Sequence, residues 1–485
     1  MLNRYSLKIK IISNFVTLET SRRQTFKITA MKSFYVLLIV FTSFLFTNAQ
    51  DSGILPEVIS HIKVRVDEGF NPSISAAYIE GDKVTYYNYG TTQFEIGKPV
   101  DEHTVYEIGS ISKVFTCIVL ADEVLKGKMK LDDPISKYLP PSISVPTRND
   151  KVITLRDLAT HTSALPRMPN NFEPEDIKNP FADYSVKQLY EFLTDYDLPR
   201  DIRSKYEYSN VGMGLLGHIL ELHTGKTYEA LIKERITEPL GMLDTGVTLT
   251  PNMKSNLALG YDAQMKLTKN WDIPTLAGAG ALRSTTSDII KFIKANITDD
   301  GSDLYLAMNL SHQEAYSNEA KGFKIGLGWH YANNNAIVWH NGGTGGYKTF
   351  TGFLRGAKRG VAVFTNSTSS IDAVGLKQLG QVLDLKVPAK IEYPDIIEVS
   401  DDILELYTGK YQLTPEFFIT ITKRNRMLIA QATGQQEFEL FASSQNEFFL
   451  KVVEASVSFN KNEEGLVKGL ILHQGGQDIP GIKVE

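Results

Sequence analysis

The fold class predicted by the sequence is α+β: a large domain of mixed strands and helices, followed by a small all-β module. Three observations predict it. The chain has 485 residues, of which 42% are hydrophobic, 22% charged and 10% aromatic, an ordinary globular composition in a chain long enough for more than one folded unit. Residues 54–385 mix strand-like and helix-like segments. From residue 401 to 485 the text changes to short alternating runs such as Phe418-Ile419-Thr420-Ile421-Thr422 and Val453 to Phe459. Between these regions two prolines stand in a polar stretch, Lys386-Val387-Pro388-Ala389-Lys390 and Tyr393-Pro394, which places a linker at 386–400. No self-similarity at a period of roughly 20–50 residues is visible, which speaks against a solenoid or propeller.

Charge and cysteine content exclude several function classes. A net charge of -5 provides no basic excess to neutralise a phosphate backbone, so a nucleic-acid partner has no electrostatic support. The single cysteine, Cys117, makes no internal disulfide and supplies no Cys-based zinc or iron–sulfur site. Stability must therefore come from apolar burial.

The N-terminal segment reads as targeting text. Met31-Lys32 precedes an uncharged apolar run, Ser33 to Phe46, and then Thr47-Asn48-Ala49, the pattern of a signal peptide (31–49) cleaved after Ala49. The apolar run is shorter than the roughly 20 residues that span a bilayer, so no membrane span is expected in the mature form. Residues 1–30 read as an upstream extension. The expected location is periplasmic or secreted.

In the large domain, Ser73 to Glu80 and Lys83 to Tyr89 are strand-like runs joined at Glu80-Gly81-Asp82, a hairpin signal. From Ser110 onward, Val114, Phe115, Ile118, Val119 and Leu120 cover most of a helix surface, which predicts a buried helix with Ser110 at its start. Residues three apart share a helix face, so Ser110 and Lys113 project together. A serine hydroxyl becomes nucleophilic when a base takes its proton, and a lysine serves as that base when burial holds it near neutrality. Ser-x-x-Lys alone is a weak signal, since a capping serine with a lysine in the first turn is commonplace. Two further segments strengthen it. Tyr208-Ser209-Asn210 stands just before another small-and-apolar helix, and Val338-Trp339-His340-Asn341-Gly342-Gly343-Thr344-Gly345-Gly346 is a strand running into glycines that let a backbone N–H approach a substrate.

Together these three segments resemble the serine β-lactamase and penicillin-binding-protein superfamily, on the class C-like branch of β-lactamases, D-peptidases and esterases. Tyr208-Ser209-Asn210 stands where class A enzymes carry Ser-Asp-Asn, and His340-Asn341-Gly342 where they carry Lys-Thr-Gly. Leu155 to Ser163, Glu238-Pro239-Leu240-Gly241-Met242, Gly278 to Ser284 and Gly326-Leu327-Gly328-Trp329 also look like the family's text.

The resemblance implies a β-lactamase-like catalytic domain over residues 54–385, an antiparallel sheet flanked by helices with a helical subdomain, and the nucleophile helix lying between the two. It implies Ser110 as the acylated nucleophile, Lys113 and Tyr208 sharing the acid–base work, and Asn210 holding Lys113 and the substrate amide. It also implies an oxyanion hole from Ser110 and Gly343 N–H, next to Gly342, with His340 facing the substrate from the strand edge. Which of Lys113 and Tyr208 takes the first proton stays open. The implied activity is hydrolysis of an ester, amide or β-lactam carbonyl in a small-molecule or peptide substrate, through an acyl-enzyme. No cofactor or metal is called for. A histidine at 340 is mostly neutral at pH 7, whereas a lysine there is a permanent partner for a substrate carboxylate. That departure weakens the case for an efficient β-lactamase. A penicillin-binding sensor or a silent scaffold is the competing reading.

Other features read plainly. His218 and His223 are five apart, which turns one off the other's face and speaks against a zinc helix. Thr224-Gly225-Lys226-Thr227 reads as a glycine stop after a helix rather than a phosphate loop. His161 reads as a core hydrogen-bonder, and Cys117 as an inert buried thiol. In the second region, runs near 407–413, 417–423, 427–433, 437–442, 446–452, 454–460 and 466–473 suggest a small antiparallel barrel or sandwich of seven or eight strands. It resembles the lipocalin-like module attached to this hydrolase family, and no nucleophile or charged constellation is legible in it.

Overall fold

The computed structural model describes residues 53–484 apart from 319, 321, 388–392, 425, 436, 452 and 454. The expected upstream extension, the signal peptide and part of the linker lie outside the described residues. Eight strands build the main sheet: β1 (Ser73–Glu80), β2 (Lys83–Gly90), β3 (Tyr316–Asn318), β4 (Phe323–Ile325), β5 (His330–Ala332), β6 (Ile337–Gly343), β7 (Lys348–Leu354) and β8 (Arg359–Thr365). Their order is β2-β1-β8-β7-β6-β5-β4-β3, antiparallel throughout. The hairpin signalled at Glu80-Gly81-Asp82 forms with Glu80 opposite Lys83.

The helices of this domain include α1 (Pro56–Asp67), α2 (Ser112–Leu125), α3 (Asn210–Thr224), α4 (Thr286–Ile297) and α5 (Asp372–Gln378). Strand β1 is buried from Ser73 through Ile79 because both faces of the sheet are covered. Ile74, Ala76 and Tyr78 join Val58 and Ile62 of α1 and Val374 of α5 in one core. Ala77 and Ile79 point the other way and join Ile289, Phe292 and Ile293 of α4. The residues between β2 and β3 form the helical part that contains α2 and α3. Helix α2 is buried from Ser112 through Glu123, as its all-round apolar sequence requires. Phe115 stacks on Phe292 at 4.3 Å between ring centres.

The second region is a closed antiparallel barrel, which settles the choice between barrel and sandwich. Its strands are β9 (Gly409–Thr414), β10 (Phe417–Arg424), β11 (Met427–Ala432), β12 (Glu437–Ala442), β13 (Glu447–Phe449), β14 (Ala455–Lys461), β15 (Val467–Gln474) and β16 (Gln477–Lys483). Closure runs through Tyr411 opposite Lys483. Two details differ from the sequence reading. A helix, α6 (Asp401–Tyr407), precedes the first strand, which starts at Gly409 rather than at 407. The closing strand β16 contains Pro480 and Gly481, both weak strand signals. Tyr407, Tyr411, Phe448 and Phe459 fill the interior, with Tyr407 and Phe459 stacked at 4.1 Å. Gln264 Nε2 of the large domain donates to the Lys451 carbonyl beside β13 at 2.6 Å.

Candidate active site

Ser110 lies in a short 3-10 turn, Gly109–Ile111, that feeds directly into α2. The turn is possible because Gly109 adopts φ +50°, the left-handed region that favours glycine. A Cβ at that position would also lie 2.8 Å from the Gly343 nitrogen. One turn on, Lys113 is fully buried, and its ammonium position is surrounded by three oxygens. Lys113 Nζ lies 3.0 Å from Ser110 Oγ, 2.9 Å from Asn210 Oδ1 and 2.7 Å from the Ala279 carbonyl. No carboxylate is among these partners. Burial therefore holds the Lys113 amine well below the usual lysine range, and the nearby Arg167 cation pushes the same way.

Tyr208 and Asn210 arrive on the other side of Ser110 at the start of α3. Ser209, between them, is the helix cap: its Oγ accepts from Gly212 N at 2.9 Å and donates to the Pro166 carbonyl at 2.6 Å. Its backbone N–H donates to His161 Nδ1 at 3.1 Å, so His161 is the core hydrogen-bonder that the sequence suggested. The Tyr208 hydroxyl hydrogen-bonds to Ser110, and its ring sits 4.8 Å from Lys113 Nζ. Burial pushes the Tyr208 phenol up to about 12. Lysine and tyrosine are thus displaced in opposite directions: an amine that gives up its proton more readily than usual beside a phenol that holds its own more tightly.

Strand β6 supplies the third wall. Gly342 is demanded by close approach, since a Cβ there would fall 2.0 Å from the Ile108 carbonyl oxygen and 2.4 Å from Thr349 Oγ1. Gly343 follows, against the turn that carries Ser110. Here one expectation needs correction. His340 does not face the substrate from the strand edge: it is fully buried on the same side of β6 as Val338. Its Nδ1 donates to the Asn341 carbonyl at 2.6 Å, its Nε2 has no partner, and its ring lies 5.0 Å from His330 and 6.3 Å from Tyr208. Desolvation, reinforced by His330 and Lys113, holds it well below the ordinary histidine value. The reason is the pleat: alternate residues of a strand face opposite sides, and this side is roofed by the buried histidines and Tyr208.

The cleft above Ser110 is small, about 30 Å³, and is lined by Gly109, Ser110, Asn210, Ala279, Gly280, Gly343 and Thr344, with an apolar wall of Phe181, Trp271 and Ile273. Buried Glu107 fixes that wall by accepting from Trp271 N at 2.8 Å and Asn270 Nδ2 at 3.0 Å. The arrangement can accept an acyl group at Ser110, remove the serine proton and protect the adduct behind aromatic side chains.

With this geometry in view, the comparisons with known proteins decide the family. The Beta-lactamase family model matches residues 58–382. The chain belongs to the β-lactamase family. A family model described only as a domain of unknown function, DUF3471, matches residues 394–482 of the same chain. The chain is 31% identical over 297 residues to the D-alanyl-D-alanine-carboxypeptidase/endopeptidase AmpH of Escherichia coli K12, covering 57% of this chain and 74% of that protein. It is 26% identical over 449 residues to penicillin-binding protein 4* of Bacillus subtilis, covering 86% and 95%. Among solved structures, a class C β-lactamase superposes with a TM-score of 0.60 at 24% identity, over 70% of this chain and 99% of its own. The chain is a β-lactamase-family serine hydrolase, and among its described residues no helix is long and apolar enough to cross a membrane.

The structure thus brings Ser110, Lys113, Tyr208, Asn210, Gly342 and Gly343 together, and places His340 beneath them. Sequence reasoning missed three contributors. Ala279 acts through a backbone carbonyl, for which the only written signal is the Gly278-Ala279-Gly280 run. Arg167 and Trp271 come from loops. Elsewhere, His218 Nε2 pairs with Tyr190 while His223 faces Glu123, and Gly225 ends α3 at φ +68° as a glycine stop. Cys117 is buried and its thiol pushed up by desolvation. In the barrel, the expectation of no charged constellation fails: Ser458 Oγ lies 2.9 Å from His473 Nε2, and His473 Nδ1 2.6 Å from Asp478 Oδ1. The register of β14, β15 and β16 lines these side chains up, Asp478 across a tight hairpin from His473 and Ser458 from the neighbouring strand.

Proposed function

We propose that this chain is an exported acyl hydrolase in which Ser110 is the nucleophile, Lys113 the first base and Tyr208 the proton donor to the leaving group. The observation that carries the reading is the Lys113 amine, fully buried, without a carboxylate partner, 3.0 Å from Ser110 Oγ. As a neutral amine it donates to Asn210 Oδ1 and the Ala279 carbonyl, and its lone pair is left for the serine proton. Ser110 Oγ then attacks the substrate carbonyl carbon. The oxyanion falls to the backbone N–H groups of Ser110 and Gly343, each donor worth about 3–4 kcal/mol by analogy with other acyl-transfer sites. The C–N or C–O bond breaks as Tyr208 gives its proton to the leaving group and recovers one from Lys113. Water hydrolyses the ester with the same groups in reverse.

The relatives include a carboxypeptidase/endopeptidase, a penicillin-binding protein and β-lactamases. A neutral, buried His340 in place of a lysine removes a fixed partner for a substrate carboxylate, which favours neutral esters and amides over rapid turnover of penicillins. The test is intact-protein mass spectrometry with a fluorophosphonate and with a penicillin, beside Ser110→Ala. One adduct, lost in the variant, is the expected result; no adduct from either probe returns the chain to a silent scaffold.

A further inference from the structure

The cleft at Ser110 is, as it stands, too small for the substrate of an acyl hydrolase. Its volume of about 30 Å³ has room for roughly two water molecules, whereas pockets that take organic ligands enclose about 300–1,000 Å³. Part of its wall must therefore move to admit a substrate, and the bonding on each side shows which part is free to do so.

Trp271 belongs to the fixed side. Its backbone N–H is held by buried Glu107, and its carbonyl accepts from Nη2 of Arg283, a guanidinium that is itself buried. Phe181 belongs to the other side. It is carried by residues 166–184, a stretch of turns without helix or strand that is pinned at both ends. At the first end the Pro166 carbonyl accepts from Ser209 Oγ at 2.6 Å and the Arg167 carbonyl from Asn210 N at 2.9 Å. At the second, the Tyr184 carbonyl accepts from buried Thr275 Oγ1 at 2.5 Å, and Ser185 caps the helix Val186–Asp195 that follows. Between the pins the contacts differ in kind. Phe172 packs on Phe181 at 5.1 Å between ring centres, and Phe181 on Trp271 at 5.2 Å. The polar ties across the same seam reach the surface. Asn179 and Asp272 exchange two hydrogen bonds, Asn179 Nδ2 to Asp272 Oδ2 at 3.0 Å and Asp272 N to Asn179 Oδ1 at 2.8 Å. Lys269 Nζ lies 2.7 Å from Asp176 Oδ2, with both side chains in water. Bonds of this kind compete with solvent and contribute little, so this is the seam along which the cleft opens.

We infer that residues 168–183 form a lid over Ser110, that the Asn179–Asp272 pair is its latch, and that Phe181 limits the size of the acyl group held beneath it. This rests on the acyl-enzyme reading above. The acyl group stays attached at Ser110 while the leaving group departs, so the acyl group is what a closed lid has to enclose. The substrates that fit under Phe181, Trp271 and Ile273 are donors of short, apolar acyl groups. Longer ones keep the latch broken.

The experiment uses p-nitrophenyl esters from acetate to octanoate, which share one leaving group, and measures kcat/KM for the parent protein, Asn179→Ala and Phe181→Leu. In the parent, kcat/KM is expected to fall as the acyl chain lengthens. Asn179→Ala cuts both latch bonds and should raise the octanoate-to-acetate ratio roughly five- to tenfold, and Phe181→Leu should raise it with the latch intact. Acrylamide quenching of Trp271, read against Trp271→Phe, gives a measure independent of turnover: it should increase in Asn179→Ala. Equal changes on every ester, a ratio that stays at the parent's value in both variants, or quenching unmoved by Asn179→Ala overturns the lid and leaves the acyl-enzyme reading standing. A parent protein that forms no acyl adduct with any ester removes the acyl-enzyme reading, and this inference with it.

Discussion

Ser110 and Ser458 are both hydrogen-bonded to a basic side chain, and their surroundings are opposite. Ser110 lies 3.0 Å from a fully buried lysine, beneath an apolar wall and beside a glycine-backed strand. Ser458 lies 2.9 Å from His473, on the outer face of the barrel, and the carboxylate that completes its relay, Asp478, is 74% exposed. By residue type the second set looks the better catalyst, a serine, a histidine and an aspartate in hydrogen-bonded order. By environment it lacks what the first has. Water screens Asp478, and strands β14, β15 and β16 spend their backbone groups on pairing with one another. The comparison teaches that residue type alone does not single out a nucleophile: the proposed activation of Ser110 rests on burial of the neighbouring base.

The largest effect that tests this contrast is loss of the nucleophile. Ser110→Ala should lower kcat/KM by about 10⁴-fold or more and abolish fluorophosphonate labelling, measured on an ester and by intact mass. Labelling that persists in Ser110→Ala and disappears in Ser458→Ala would reverse the comparison.

Next comes the base. Lys113→Met should lower kcat/KM by roughly 10²–10⁴-fold. Because burial depresses the Lys113 amine, the activity of the parent should rise with pH well below the ordinary lysine range, and fall again only as Tyr208 ionises near 12. Stability carries the same sign. The unfolded chain binds the Lys113 proton up to its ordinary pKa while the folded chain does not, so folding strengthens as pH rises through that window. Lys113→Met should remove this rise, by up to about 1.4 kcal/mol per pH unit, in urea melts across the alkaline range.

Third, Gly342→Ala forces a Cβ against the Ile108 carbonyl, a backbone atom that cannot rotate away. The expected loss is about 1–3 kcal/mol of stability by denaturant melt, with weaker acylation as β6 moves off the Ser110 turn.

The smallest effect concerns acid. His161, His330 and His340 all have pKa values below the ordinary histidine value, His330 at about 4. Below pH 6.5 the unfolded chain takes up protons that these folded sites refuse, so stability should fall as pH drops. Each histidine contributes up to about 1.4 kcal/mol per pH unit, and His340→Leu should flatten the slope of ΔG against pH by one such increment.

The side chains proposed to react were legible in the sequence because their signals are local. Ser110 and Lys113 are one turn apart, Tyr208 to Asn210 adjoin a helix start, and the glycines at 342 and 343 follow a strand. The rest depends on long-range packing. Nothing around His340 announces that its side of β6 is roofed by His330 and Tyr208. Ala279 contributes only a carbonyl, which any residue owns. Arg167 gains meaning from the two hydrogen bonds that tie its loop to α3. In the barrel, Ser400 followed by Asp401 and Asp402, with Leu404 and Tyr407 buried three apart, is a helix-start signal that the alternation downstream masked. Pro480 and Gly481 hid the closing strand.

Strand β1 takes β2 as one neighbour almost immediately, but its other neighbour, β8, comes only at the far end of the domain. Thr365 Oγ1 donates to the Ser73 carbonyl across 292 residues of chain. During synthesis, β1 emerges as a nearly continuous apolar strand with one open edge and waits for most of the domain to be made. Such distant pairing slows folding and exposes sticky edges to other chains. Catalytic power therefore switches on late. A chain that stops before residue 343 carries Ser110 and Lys113 in its sequence but lacks the strand end that forms the third wall.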